Sequence, residues 1–216
     1  MSSPASIIQH CVERILAQPH APCLVAITGE SGSGKSYFIK ALRQELESRG
    51  VEYTFLNHDD FLIPRKEREA LRQRIYKEGE FQGKSHWEVL ENWYYFDAFE
   101  SALEKLRNNQ PAIYHPYVHG SGELDSKPKV VKPSRIILIE DKILLHKMDY
   151  VIELAVNRRE IIERKIERDS DVRTPDQTIE MHEKAQGFFW DRQQPVTSNL
   201  KIDNNDYHQP TILVDK

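Results

Sequence analysis

The sequence predicts an α/β domain of three layers, with helices on both faces of a mostly parallel sheet. Two near-continuous apolar runs, "CLVAIT" at 23–28 and "RIILIE" at 135–140, are bounded by turn or charged residues, the pattern of central parallel strands covered on both faces. Segments with helical spacing alternate with these and with shorter strand-like runs. The stretch "GESGSGKS" at 29–36 puts a glycine-rich loop directly between the first run and a helical pattern. A chain of 216 residues is long enough for one large domain with a substantial core.

The N-terminal segment, 1–20, carries Ile7, Ile8, Val12, Ile15 and Leu16 at amphipathic helical spacing and is closed by Pro19 and Pro22. The spacing leaves open whether it joins the core or a dimer contact. After the glycine loop, Phe38, Leu42 and Leu46 form one helical stripe that Gly50 stops. "VEYTFLN" reads as a second strand, and the polar stretch 62–93 as helical pieces and loops. "FDAFESALEKLRNN" is a helix ended by Pro111, and the flanks of "HGSGELDSK" form a hairpin-type excursion over 111–133. "YVIELAV" is a further strand, helices follow over 157–169 and 175–192, and "NLKID" is a short last strand.

Lys and Arg number 30 against 34 Asp and Glu, and the net charge of −4 gives no footprint for nucleic acid or an anionic membrane. No apolar run approaches the ~20 residues that span a bilayer. Glu13 and Arg14 stand where a signal peptide would be uniformly apolar, so the expected location is the cytoplasm. Cys11 and Cys23 have no metal-ligand spacing and read as small buried hydrophobes.

A loop between a buried strand and a helix can turn its N–H groups around an anion, provided no Cβ blocks the approach and φ can go positive. Gly29, Gly34, Lys35 and Ser36 fit the pattern G-x-x-x-x-G-K-[ST], in which the lysine reaches the β and γ phosphates and the hydroxyl ligates Mg²⁺. Ser31, Gly32, Ser33 and Tyr37 complete the expected nucleotide cradle. The bland alternative is a flexible Ser/Gly linker, which the flanking strand and helix disfavour.

Three further stretches carry acids or cations. Asp59 and Asp60, in "LNHDDF", follow the second strand and so face the crevice outside the strand ends. Asp59 is the candidate base that accepts a hydroxyl proton, with a place beside the metal, and Asp60 is a candidate substrate contact. The alternative is that the pair caps the next turn. Glu140 emerges at the end of the central strand, where an acid holds hydrated Mg²⁺. Arg164 and Arg168 lie one turn apart on a helix, with Ile162 and Ile166 facing nearly the opposite way and Arg173 following in a loop. Cations there can stabilise a transferring phosphoryl group, or form a solvated face with Glu160, Glu163 and Glu167.

"GESGSGKS", "HDDF", "PAIYHPYVHGSGEL", "IILIED" and "RKIERD" occur in an order and at spacings that resemble the uridine kinase and phosphoribulokinase family of P-loop kinases, over about residues 23 to 203. The resemblance implies a five-stranded parallel sheet and transfer of the ATP γ-phosphoryl group, with Mg²⁺, to a hydroxyl of a small molecule. A nucleoside comes first as acceptor, with a pentose phosphate, pantothenate or glycerate as alternatives. It places 62–93 and 111–133 on the acceptor side, gives Arg164, Arg168 and Arg173 to a lid over 164–175, and makes Tyr114, Tyr117 and His119 candidate acceptor contacts. Two registers compete there, one favouring Tyr114 with His119 and the other Tyr117. These aromatics could equally be a hairpin's packed face. Leu62 replaces a tyrosine common in relatives and Asp141 replaces the usual glycine. Those departures keep another class open, a module that binds nucleotide without transferring phosphate or an NTPase with no acceptor. Homo-oligomerisation is also left open.

Overall fold

The computed structural model describes residues 3–74, 92–141, 144–185 and 197–216. Part of the 62–93 stretch, including Trp87, and the end of the helix expected over 175–192 lie outside the described residues. In chain order, α1 (Pro4–Leu16) is followed by β1 (Cys23–Thr28), α2 (Lys35–Ser48), β2 (Tyr53–Asn57), a 3-10 turn at His58–Phe61 and α3 (Arg65–Gln73). Next come α4 (Phe96–Arg107), the short strands β3 (Ala112–Tyr114), β4 (Tyr117–Val118), β5 (Glu123–Leu124) and β6 (Lys129–Val131), and then β7 (Ile136–Glu140). The last elements are β8 (Tyr150–Ala155), α5 (Arg158–Asp169), α6 (Pro175–Ala185), β9 (Leu200–Asp203) and β10 (Thr211–Asp215).

The main sheet runs β10-β9-β8-β1-β7-β2. Its five strands from β9 to β2 are parallel, and β10 adds an antiparallel edge against β9. That sixth strand was not expected from "TILVD", whose side chains are mostly exposed and do not alternate. β3 pairs with β6 and β4 with β5, both antiparallel, so the excursion over 111–133 is a ribbon of two stacked hairpin pairs.

Alternate side chains of the central strands serve two cores. Val25, Ile27, Leu138 and Ile152 pack with α1 and α2, while Leu24, Leu56, Ile137 and Ile139 pack with α4 and the ribbon. Burial of both faces is the reason the strand sequences are nearly uninterrupted apolar runs. α1 delivers Ile7, Ile8, Cys11, Val12 and Ile15 to the first core, which makes the N-terminal helix a core element. Both cysteines are buried and free. Burial pushes their thiols up to about 12 for Cys11 and about 11 for Cys23, so neither has thiolate character near neutrality. No helix among the described residues is long and apolar enough to cross a membrane.

The register decides where chemistry can occur. Ile27, Glu140 and Asn57 are level across β1, β7 and β2. The loops leaving these strands therefore open at one sheet edge, the edge where parallel sheets receive ligands.

Candidate active site

The glycine loop departs from β1 at Gly29 with φ +146°, turns at Gly32 with φ +96° and enters α2 through Gly34 with φ +94°. A Cβ on Gly29 would stand 2.7 Å from the Leu154 carbonyl oxygen, and one on Gly34 would stand 2.9 Å from Asn204 Nδ2. Both positions thus need glycine for backbone angle and for space. No side chain caps the N-terminus of α2, so its first-turn N–H groups and dipole face the loop's interior. The loop is held by Ser33 N–H donating to Glu30 O at 3.0 Å and by Asn204 Nδ2 donating to Ser33 O at 2.8 Å. Lys35 Nζ donates to Gly29 O at 2.9 Å and Glu30 O at 3.2 Å, holding its ammonium across the loop. Ser31, Ser36 and Tyr37 are exposed at the loop and the start of α2, whereas Ser33 is buried beneath it. Gly34→Ala is expected to cost about 1–2 kcal/mol of stability from the left-handed backbone alone, read by urea unfolding, and to weaken nucleotide binding.

Across from the loop stand the acids. Asn57 caps the turn that follows β2, its side chain accepting from Asp59 N–H at 2.9 Å. The reading of Asp59 and Asp60 as the cap is thereby replaced: Asn57 does that work and both carboxylates are left for other partners. His58 is buried, with Nδ1 at 2.6 Å from the Glu140 carbonyl oxygen and Nε2 at 3.1 Å from Asp59 Oδ1. A carbonyl oxygen only accepts, so Nδ1 carries a proton. Tyr94 O–H donates to Asp59 Oδ1 at 3.4 Å. Burial, reinforced by the Asp59 charge, pushes that phenol well above its ordinary range, so it stays a donor. Tyr94 is brought there by a short antiparallel pairing of 61–63 with 93–95: a bridge between Leu62 and Tyr94, and Tyr95 N–H donating to Phe61 O at 2.8 Å. No signal near Tyr94 in the sequence announces this pairing. Leu62, the departure from tyrosine, is buried in the second core. Asp141 is also buried, its Oδ2 accepting from Leu144 N–H at 2.9 Å, so this departure caps the turn that leaves β7.

The ribbon supplies the far wall. Tyr114 O–H and Lys129 Nζ both donate to Asp60 Oδ2 at 2.8 Å, since Tyr114 and Lys129 are directly paired across β3 and β6. Tyr117 is buried beneath Arg68, whose guanidinium lies 4.5 Å from the ring centroid and donates to the Tyr117 hydroxyl. Tyr114 reaches the acid turn through Asp60 and Phe61, and Tyr117 reaches Ile63, just beyond that turn, through Arg68. His119 is exposed and sits edge-on to Tyr117, its carbonyl oxygen accepting from Arg65.

Of the three lid arginines, the structure brings one to the loop. Arg164 Nη2 donates to the carbonyl oxygens of Asn204 at 2.7 Å and Asn205 at 2.8 Å, and Nη1 lies 3.9 Å from where a Gly34 Cβ would stand. Arg168 and Arg173 instead hold Asp169, each at 2.8 Å, and remain largely exposed. The inner face of α5 is set by Ile161 and Lys165, which are buried, whereas Ile162 and Ile166 are only half-buried. The helix lies against Gly32, with Ile161 and Lys165 both at 3.4 Å from the position of its absent Cβ, so contact with the loop rather than apolar content orients it.

That contact creates a buried polar cluster which the sequence does not reveal. Lys165 Nζ is 2.9 Å from His182 Nδ1 and 3.7 Å from Glu30 Oε1, and His182 Nδ1 is 3.3 Å from Glu30 Oε1. Burial raises the Glu30 carboxyl and lowers the Lys165 ammonium. Burial together with the Lys165 and Arg158 charges pulls His182 from 6.5 to about 4, against a weaker pull from Glu183. The unfolded chain then takes up this proton first on acidification, so stability is intact above about pH 6.5 and is lost as the pH falls toward 4. The melting temperature is expected to drop by about 7–14 °C over that window through this group. His182→Gln should flatten that part of the profile.

A glycine cradle for a polyphosphate, with a partly exposed carboxylate facing it across the strand ends, is suited to phosphoryl transfer. A profile of the phosphoribulokinase / uridine kinase family matches residues 24–182. A comparison with curated proteins finds no match. Among solved structures, a provisionally named fructose transport system kinase from Silicibacter sp. TM1040 superposes with TM-score 0.67 at 19% identity, covering 91% of this chain and 98% of its own. D-glycerate 3-kinase from Cryptococcus neoformans var. grubii gives 0.63 at 12% identity, covering 97% of both chains. A provisionally named uridine kinase from Bacillus stearothermophilus gives 0.54 at 21% identity, covering 83% of this chain and 93% of its own. These likenesses agree in fold, and the family match spans most of the chain: it belongs to the phosphoribulokinase / uridine kinase family and is a small-molecule kinase.

Proposed function

We propose that the chain transfers the γ-phosphoryl group of ATP to a hydroxyl of a small molecule, with Asp59 as the base. The observation that carries this reading is the level ending of β1, β7 and β2, which sets the glycine cradle, Glu140 and Asp59 at one edge. Gly29, Ser31, Gly32, Ser33, Gly34, Lys35, Ser36 and Tyr37 form the ATP side. The cradle at Gly29 and Gly34, where a Cβ would collide with neighbours, fits a polyphosphate tail. Arg164 is the lid cation already beside the loop, and Arg168 and Arg173 would have to leave Asp169 to join it.

Ser36, Asp59 and Glu140 are the oxygens that would hold Mg²⁺. No cluster of three or more metal-ligating side chains occurs among the described residues. A Mg²⁺ held by one or two protein oxygens plus nucleotide phosphates needs none. When bound, the ion neutralises charge on the phosphates. Asp59 then accepts the acceptor's hydroxyl proton, with Tyr94 O–H donating to its carboxylate. Asp60, Tyr114, Tyr117 and His119 belong to the acceptor side.

ADP release separates this reading from the others. A kinase makes ADP mainly when the right acceptor is added, an NTPase makes it without one, and a nucleotide sensor makes none. The resemblance to uridine kinases makes a nucleoside the first acceptor to try, followed by pentose phosphates, pantothenate and glycerate.

A further inference from the structure

We infer that the acceptor is an anion, bearing a carboxylate or a phosphate, and that Arg68 receives that charge; the inference rests on the kinase reading above. On the acceptor side, Asp60 is already matched by Lys129 and Tyr114. Arg68 is different. Its guanidinium is half-buried, and of its five N–H donors one on Nε reaches Ile63 O at 3.0 Å and one on Nη2 reaches the Tyr117 hydroxyl. It has no carboxylate partner among the described residues. Arg49, Arg107, Arg158 and Arg164 each have one within 3.0 Å.

The surroundings fix where this charge points. Tyr117 holds the guanidinium over its ring, 4.5 Å from the centroid, and the bond to Ile63 O ties it to the strand pair that carries Tyr94 to Asp59. The Arg68 charge also acts on the Tyr94 phenol, the group in contact with the Asp59 carboxylate. A planar cation clamped by neutral partners, with donors to spare and the base nearby, is suited to a planar carboxylate or a phosphate. A neutral nucleoside would leave its charge unmatched, and removing a charge from water without a partner is costly.

The test is steady-state ADP release with matched acceptors: glycerol against D-glycerate, pantothenol against pantothenate, ribulose against ribulose 5-phosphate, and uridine. We expect an anionic member to exceed its neutral counterpart by at least about tenfold in kcat/KM. Arg68→Gln should raise the KM for that anion about 10–100-fold, the range for one hydrogen bond to a charged group, with kcat and the KM for ATP near wild type. Arg68→Lys should fall between, because it keeps the charge and loses the fork. Should Arg68→Gln fail to fold, the wild-type ratio and Arg68→Lys still decide. ADP formed with uridine or a neutral polyol in preference to every anion overturns this inference and leaves the kinase reading standing. An unchanged KM for the anion in Arg68→Gln does the same. Absence of ADP with every acceptor overturns both.

Discussion

Lys35→Ala is expected to lose ATP-dependent turnover by about 10²–10³-fold or more, the scale on which one preorganised charge stabilises a transition state. The Lys35 ammonium already lies across the glycine loop, bonded to the carbonyl oxygens of Gly29 and Glu30. A polyphosphate in the cradle offers that cation full negative charge in place of two neutral carbonyls. A second readout separates binding from chemistry. Magnesium ATP should raise the wild-type melting temperature, because a ligand that binds only the folded state stabilises it. In Lys35→Ala that rise should shrink sharply while the ligand-free melting temperature stays near wild type. A full ATP-induced rise together with undiminished turnover would show that the loop does not grip the transferring phosphates.

Asp59→Asn is expected to lower kcat by about 10²–10⁴-fold, the usual contribution of a positioned general base, while sparing the KM for ATP. Asparagine keeps the size of the side chain and can still accept from Tyr94 O–H, so the turn at His58–Phe61 should hold. What it loses is the capacity to take up the hydroxyl proton. Asp59 follows β2, whereas the glycine cradle follows β1, which is why nucleotide binding and proton transfer should separate in this variant. Wild-type rates in purified Asp59→Asn protein would remove the residue from the mechanism. A parallel loss of ATP affinity would instead assign the carboxylate chiefly to the metal.

Legibility followed the range of the interactions. "CLVAIT" and "RIILIE" announced themselves because a parallel strand covered on both faces must be apolar at successive positions. The cradle was legible because strand, glycines, lysine and helix are contiguous and its working atoms are backbone. Asp59 and Glu140 could be placed because they directly follow or end strands whose carboxyl ends share one edge. The capping alternative for Asp59 and Asp60 gives way because Asn57, two residues before Asp59, accepts that bond. β10 was missed because an exposed antiparallel edge strand has no buried face to impose alternation.

By itself, then, the sequence determined the α/β class, the parallel central strands and the glycine loop between β1 and α2, all features that neighbouring residues impose on one another. Only the tertiary structure decided that Tyr94 meets Asp59, that Lys165 and His182 meet at Glu30, that Arg164 rather than Arg168 or Arg173 stands beside Gly34, and that Arg68 lies over Tyr117 with no acid among the described residues to match it. Those contacts join residues far apart in the chain. Their geometry depends on where packed cores set down one helix or ribbon against another, and no local pattern of residues encodes that distance.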